Sequence, residues 1–328
     1  MGDPAGIGPE VVVKSITKPE VKRICVPLVF GSIGGFSQVL NKYAKGYRSN
    51  RVLSVEEVNA SEKVINILHC TDFDYKKVKI GKINKTSGNM AATCLVYAVQ
   101  FALARQVEGI VTAPLSKIGL RLAGYNFPGQ TEMIAFLTAC NKFGMMFARD
   151  DLKVILVTTH LSVFKVSKEI TSQKVLEKIE LADKTLRFMF KIRNPEIGVC
   201  ALNPHSGEKG LFGKEEERSI VPAIKKAQRK NIRVSGPYAA DSLFNKRVSS
   251  KFDCIVAMYH DQGLIPMKIN GLGNSVNLTV GIPIIRTSPD FGIALDIAGK
   301  GKADPEGMVR AIRLAARLAG SSKYFERV

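Results

Sequence analysis

The sequence predicts an α/β fold in two domains. At 328 residues the chain is longer than one ordinary domain, which spans ~100–200 residues. Short β-rich runs alternate with longer amphipathic stretches, as in βα units built on a largely parallel sheet. Three of the four histidines, His160, His205 and His260, follow directly on hydrophobic strand-like runs. Open α/β sheets place their ligand sites beyond such strand ends.

Gly2-Asp-Pro-Ala-Gly-Ile-Gly-Pro-Glu10 opens the chain as a loop, with Pro9 and Glu10 suited to a first helical turn. Its glycines would let backbone approach an anion or a cofactor. A strand is expected over 26–31, and the polar, weakly periodic residues 44–62 read as a surface excursion. A helix over 87–105 and a strand over 108–112 lead into the loop Thr112-Ala-Pro-Leu-Ser-Lys117. Gly124-Tyr-Asn-Phe-Pro-Gly-Gln130 interrupts the pattern and marks a domain crossing. Strands over 152–158, 197–202 and 252–258 each stop just short of a histidine. Between them lie helices over 172–190, with apolar residues at helical spacing and Ser172 able to cap it, and over 214–230. A strand over 281–286 precedes a second crossing near Thr287-Ser-Pro-Asp290, and a helix over 305–319 follows. Residues 1–128 plus 288–328 then form the first domain, and 129–287 the second.

Composition narrows the class. The net charge of +19 could serve a polyanion, but the lysines are spread along the chain and aromatics are only 7% with no Trp. A stacking platform for bases wants more aromatics near the charge, so solvated helix faces are the simpler reading and no nucleic acid is expected. No apolar run reaches the ~20 residues needed to span a bilayer, so no membrane partner is expected. The start lacks the basic-then-apolar pattern of a signal peptide. Six scattered cysteines without a CxxC pair favour reduced thiols and a cytoplasmic setting.

The three histidines could ligate a catalytic metal with an open position, although any one alone reads as a structural residue. His69 lacks such company and is taken as structural. Asp241 reads equally as a ligand or base and as a helix N-cap. Lys268 and Arg286, with Asn277 between them, could grip a phosphate or carboxylate, or be ordinary surface cations. Thr112–Lys117 and Gly129-Gln-Thr-Glu-Met133 are turn-rich loops of the kind that carry function, or only turns and caps. No G-x-G-x-x-G follows a strand, and no P-loop is present. By itself 290–305 reads as a glycine-punctuated connecting loop.

GDPAGIGPE, TAPLSK, GQTE, LNPHSGEKGLFGKEE, GPYAADSLF, YHDQGLIPMK, VNLTVGIPIIRTS and LDIAGKGKADP run in order from residue 2 to residue 305. Together they resemble the 4-hydroxythreonine-4-phosphate dehydrogenase family. The opening and late loops also resemble those of the wider isocitrate and isopropylmalate dehydrogenase superfamily. The resemblance implies two α/β/α domains with a cleft between them, isopropylmalate dehydrogenase-like, and a homodimer that completes the active site. It implies a divalent metal, zinc before magnesium or cobalt, on His160, His205 and His260, the last from the partner chain. Substrate contacts fall at Gln130, Thr131, Lys268, Asn277 and Arg286. Asp241 becomes an additional ligand or a base, and Lys268 the catalytic cation. The late loop, through Gly292, Asp296, Ala298 and Gly299, would hold the adenosine end of NAD or NADP, which explains why a Rossmann motif is not needed.

The implied activity is NAD-dependent oxidation of 4-phosphooxy-L-threonine to a β-keto acid, which decarboxylates to 3-amino-2-oxopropyl phosphate in pyridoxal phosphate synthesis. Two departures bear on it. Gln130 stands where the family usually has His, which removes a titratable charge from the substrate site. Phe291 and Ile293 replace two polar residues of the late loop. The alternatives are a dehydrogenase of 4-phospho-erythronate or 4-phospho-D-threonate, a family member that binds without turnover, and a polyanion-binding non-enzyme.

Overall fold

The computed structural model describes residues 1–71, 78–269, 271 and 273–320. Contacts divide these into two compact units, Met1–Ala139 with Pro283–Gly320, and the intervening Cys140–Ile282. The divisions fall after the expected crossing at 128 and before the one at 287. The helix Gln130–Leu137 therefore stays with the first unit, as does Arg286.

In chain order the strands among the described residues are β1 (Leu28–Gly31), β2 (Arg48–Val52), β3 (Val64–His69), β4 (Ile110–Val111), β5 (Gly144–Ala148), β6 (Lys153–Leu156), β7 (Ile197–Cys200), β8 (Val234–Tyr238), β9 (Cys254–Ala257), β10 (Val276–Val280) and β11 (Arg286–Pro289).

In the first unit β1, β3 and β2 form a parallel sheet in that order. Ile65 and Ile67 of β3 lie on one face and are buried with Val11, Val12, Phe36 and Leu40 of the helices Gly8–Ile16 and Ile33–Tyr43. The first strand begins only at Leu28, because Pro27 has no N–H to give a ladder. The expected surface excursion over 44–62 is corrected: Arg48–Val52 is an exposed edge strand held by its backbone pairing with β3. A parallel pair, β4 with β11, carries the helix Glu306–Ala319, and Thr287 Oγ1 donates to Ala311 O at 2.8 Å.

The second unit orders its strands β10-β5-β6-β9-β7-β8. β6, β9, β7 and β8 are parallel, but β10, β5 and β6 are antiparallel, so this sheet is mixed. The antiparallel step follows from the short turn at Arg149–Leu152, which cannot hold a crossover. The apolar run at 281–286 is not one strand. Residues 281–285 are a bend between β10 and β11, turned at Gly281, whose φ is +85°, and Arg286 already opens β11. The helix Ser172–Phe188 is capped by Thr171 rather than Ser172, with Lys174 N donating to Thr171 Oγ1 at 3.3 Å. The expected helix over 214–230 is a π-turn, Glu216–Ile220, followed by an α-helix, Val221–Arg229, with Pro222 in its first turn.

Val154, Leu156, Ile255 and Ala257 share one sheet face with Leu264 and Met267 of the helix His260–Lys268. Gly263 permits this approach, since a Cβ there would sit 2.7 Å from Leu156 Cδ2 and 2.9 Å from Val154 Cγ1. Gly263→Val should destabilise the protein by about 2–3 kcal/mol through overpacking. A urea midpoint that falls with an unchanged slope would register that loss. An unchanged midpoint would show that the helix has room to shift. No helix among the described residues is long and apolar enough to cross a membrane.

Candidate active site

In the first unit, Arg286 opens β11 and is 2% exposed. Pairing of β11 with β4 sets it beside Thr112, the residue after β4. Its Nε and Nη2 donate to Thr112 Oγ1 at 3.1 and 2.8 Å. Nη1 donates to Thr131 Oγ1 at 3.4 Å and Nη2 to Gln130 Oε1 at 3.3 Å, both at the start of the helix Gln130–Leu137. Gln130 Nε2 donates to Ala113 O at 3.2 Å, which turns its oxygen toward the guanidinium. Burial pushes the Arg286 pKa down to about 10, and the charge of Glu132 acts in the opposite sense. The arrangement fixes a planar fork of donors in a dry site, the geometry that selects carboxylate or phosphate. Gln130, Thr131 and Arg286 are thus brought together, and Thr112 joins them.

The late loop also lies in the first unit. Gly292 and Asp296 are exposed, Ala298 is buried in the core, and Gly299 has φ +73°. Nothing lies within 4 Å of the position a Gly292 Cβ would take, and the exposed Asp296 carboxylate is a suitable acceptor for sugar hydroxyls. These features fit a nucleotide ribose. The opening loop holds this segment from below: Ile7 N donates to Ile293 O at 3.0 Å. A Cβ on Gly6 would sit 2.6 Å from Ile293 O. What the glycine at this position admits is therefore the chain's own late loop.

In the second unit the carboxyl ends of β6 and β9 deliver His160 and His260. Their ring centroids are 6.2 Å apart and tilted by 40°. His260 begins its helix, and its Nδ1 is 2.6 Å from Asp261 Oδ1. That contact leaves Nε2 as the outward ligand atom, the usual way a carboxylate orients a metal-binding imidazole. Gln262 ties the neighbouring strand ends, accepting from Met258 N at 2.6 Å and donating to Ala201 O at 2.7 Å. Two imidazoles at this spacing fit a divalent ion that takes nitrogen ligands. Both belong to one chain, whereas the resemblance draws His260 from a partner.

His205 is not brought to this pair. No group of three His, Cys, Asp or Glu side chains gathers among the described residues. His205 is exposed, with its ring centroid 6.1 Å from that of Phe212. It starts a run, His205 to Lys209, in which every residue has positive φ. Left-handed backbone costs roughly 1–2 kcal/mol per non-glycine residue, so the surroundings must enforce it. Buried Glu216 contributes, accepting from Leu202 N and Asn203 N at 2.8 Å each.

Asp241 lies inside the first turn of the helix Ala240–Leu243, so it is not the N-cap. It is exposed and accepts from Ser242 N at 2.8 Å. Lys268 ends the helix that His260 begins. Asn277, in β10, is 9% exposed, and its Oδ1 is buried without a hydrogen-bond partner, which suits a donor on a ligand. His69 Nδ1 accepts from Ile33 N at 3.2 Å, a structural contact. The sequence singled out the loop that Thr112 opens but not its bond to Arg286, and gave no role to Asp261, Gln262 or Glu216, although these three lie in motifs it had singled out.

A family profile described as "Pyridoxal phosphate biosynthetic protein PdxA" matches residues 23–315. D-threonate 4-phosphate dehydrogenase of Salmonella typhimurium is 41% identical over 323 residues, covering 97% of each chain. 4-Hydroxythreonine-4-phosphate dehydrogenase of Desulforapulum autotrophicum is 39% identical over 319 residues, 97% of this chain and 94% of that one. The crystal structure of 4-hydroxythreonine-4-phosphate dehydrogenase from Klebsiella pneumoniae superposes with a TM-score of 0.88 at 37% identity, over 97% of this chain and 96% of that one.

Proposed function

The chain belongs to the PdxA family of pyridoxal phosphate biosynthetic proteins, and from that premise we propose that it is an NAD-dependent, metal-dependent dehydrogenase of a phosphorylated threonine-like acid. The reaction is oxidation of 4-phosphooxy-L-threonine at its secondary hydroxyl. The β-keto acid formed loses carbon dioxide to give 3-amino-2-oxopropyl phosphate, a precursor of pyridoxal phosphate. The observation that carries this reading is the pairing of His160 with His260 at two strand ends.

Arg286, with Thr131 and Gln130, holds an anionic group of the substrate, and Lys268 supplies a second point charge. Asn277 accepts a hydrogen bond from a substrate donor. Asp241 takes the proton of the hydroxyl being oxidised. His160 and His260 would hold the divalent ion, zinc or else magnesium or cobalt, which when bound supplies Lewis acidity at that hydroxyl, and His205, which lies apart from the pair in this chain, is left out of the set. Gly292, Asp296, Ala298 and Gly299 would hold the adenosine end of NAD or NADP, which when bound supplies a hydride acceptor.

A homodimer belongs to this reading. Val163, Phe164, Leu211, Ile265 and Ile269 are between 64% and 83% exposed, and all lie close in sequence to the three histidines. Apolar surface of this kind supports a second copy as its cover. A cytoplasmic setting rests on the cysteine pattern.

The second reading shifts the substrate to 4-phospho-D-threonate or 4-phospho-erythronate. Gln130, in place of the family's usual His, and the Salmonella relative support it. NADH formation from each substrate, before and after chelation, tests both. We expect activity to vanish on chelation and return with zinc, and kcat/KM to rank the substrates. Full turnover by stripped protein would remove the metal from the account. Turnover of none, with salt-steep binding to DNA, would favour a polyanion binder instead.

A further inference from the structure

We propose that Glu10, paired with Lys14, is a positioning residue that fixes the 299–303 stretch of the late loop and so sets the affinity for the dinucleotide. The inference rests on the cofactor reading above.

Glu10 is 3% exposed in the first turn of the helix Gly8–Ile16. Its Oε1 accepts from Ala303 N at 2.9 Å, and its Oε2 from Gly301 N at 3.3 Å. Lys14, one turn later on the same face, donates to Glu10 Oε1 at 2.8 Å. The same ammonium donates to Gly301 O at 2.8 Å and to Ala303 O at 2.9 Å. Lys42 Nζ donates to Gly299 O at 2.7 Å. Both ammonium groups stand over the Tyr43 ring, at 5.6 and 5.2 Å from its centroid.

Peptide groups at 299, 301 and 303 are therefore pinned from one side, while Lys300 and Lys302 are exposed. Gly299 and Gly301 hold φ of +73° and +74°, backbone that glycine adopts without strain but also leaves readily. Something must select that shape, and the anchoring carboxylate does so. Only a carboxylate can accept from two amides and an ammonium at once; glutamine would turn an N–H donor toward one of them. The pinned stretch begins at Gly299, beside Ala298, both residues of the proposed adenosine site.

The test compares the wild-type chain with Glu10→Gln and Lys14→Met. In the ligand-free protein, exchange of the Gly301 and Ala303 amide hydrogens should speed up in both variants while the melting temperature stays near wild type. If the anchored loop falls to about one-tenth of the population, KM for NAD rises about tenfold. KM for the phosphorylated substrate should not move, and the effect on kcat at saturating NAD should be small by comparison. Wild-type exchange at both amides together with a wild-type KM for NAD overturns the proposal. A global loss of protection that also raises the substrate KM overturns it as well, by reducing Glu10 to a folding residue. If NAD fails to slow exchange over 290–303 in the wild-type protein, the cofactor reading falls, and the claim about affinity falls with it. Exchange in the ligand-free variants still judges the anchor separately.

Discussion

His260→Ala is expected to lower kcat/KM by about 10³-fold and to reduce bound metal. A Lewis acid contributes several kcal/mol to a transition state that develops negative charge on oxygen, and ~1.4 kcal/mol is a factor of ten. The fold should survive, because His260 is partly exposed at the start of its helix and adds little to the core. Asp261→Asn should cost less, about 10–100-fold, because it acts by orienting the imidazole. Metal analysis of the purified variants separates lost ligation from lost chemistry. The pairing within one chain can be probed by mixing. If ligands are shared between copies, inactive His260→Ala and His160→Ala subunits regain measurable activity together. If every ligand comes from one chain, the mixture stays dead. Wild-type turnover by His260→Ala, with its metal still bound, would remove this residue from the site.

The strands that carry the histidines were the most legible part of the chain. β6, β7 and β9 are covered on both faces, so they read as continuous apolar runs. β2 was hidden because Arg-Ser-Asn-Arg-Val needs only backbone pairing at an exposed edge. β5, Gly-Met-Met-Phe-Ala, lacks the β-branched signature and takes its place from two antiparallel neighbours. The run at 281–286 misled for the opposite reason: its apolar residues are buried, but Gly281 and Pro283 break the ladder. Arg286 was visible as a cation after an apolar run. Its partnership with Thr112 was not, because strand register brings together residues 174 apart in sequence. Glu10 shows a local pattern only in its i,i+4 spacing to Lys14; its bonds to the late loop, like those of Glu216 to Leu202 and Asn203, run to backbone amides, which no side-chain spacing encodes.

Arg286→Met should separate binding from stability more cleanly than any other change. The guanidinium is buried against hydroxyl and amide oxygens. Hydrogen bonds to charged groups are worth ~1.5–3 kcal/mol each, so losing one to a substrate anion predicts a loss of about 10–100-fold in kcat/KM. Stability should move the other way or not at all. A buried cation carries a desolvation penalty that its partners repay only in part, and an apolar side chain of similar length removes it. A melting temperature equal to or above wild type is therefore expected alongside a weakened enzyme. Arg286→Lys keeps the charge but cannot reach Thr112, Thr131 and an anion together, so it should fall between the two. Inorganic phosphate, used as a competing anion, should protect the wild-type protein against thermal unfolding and leave Arg286→Met unprotected. If the variant instead unfolds at a much lower temperature and phosphate protects both proteins alike, Arg286 is a core residue of the β4–β11 pair and the anion site lies elsewhere.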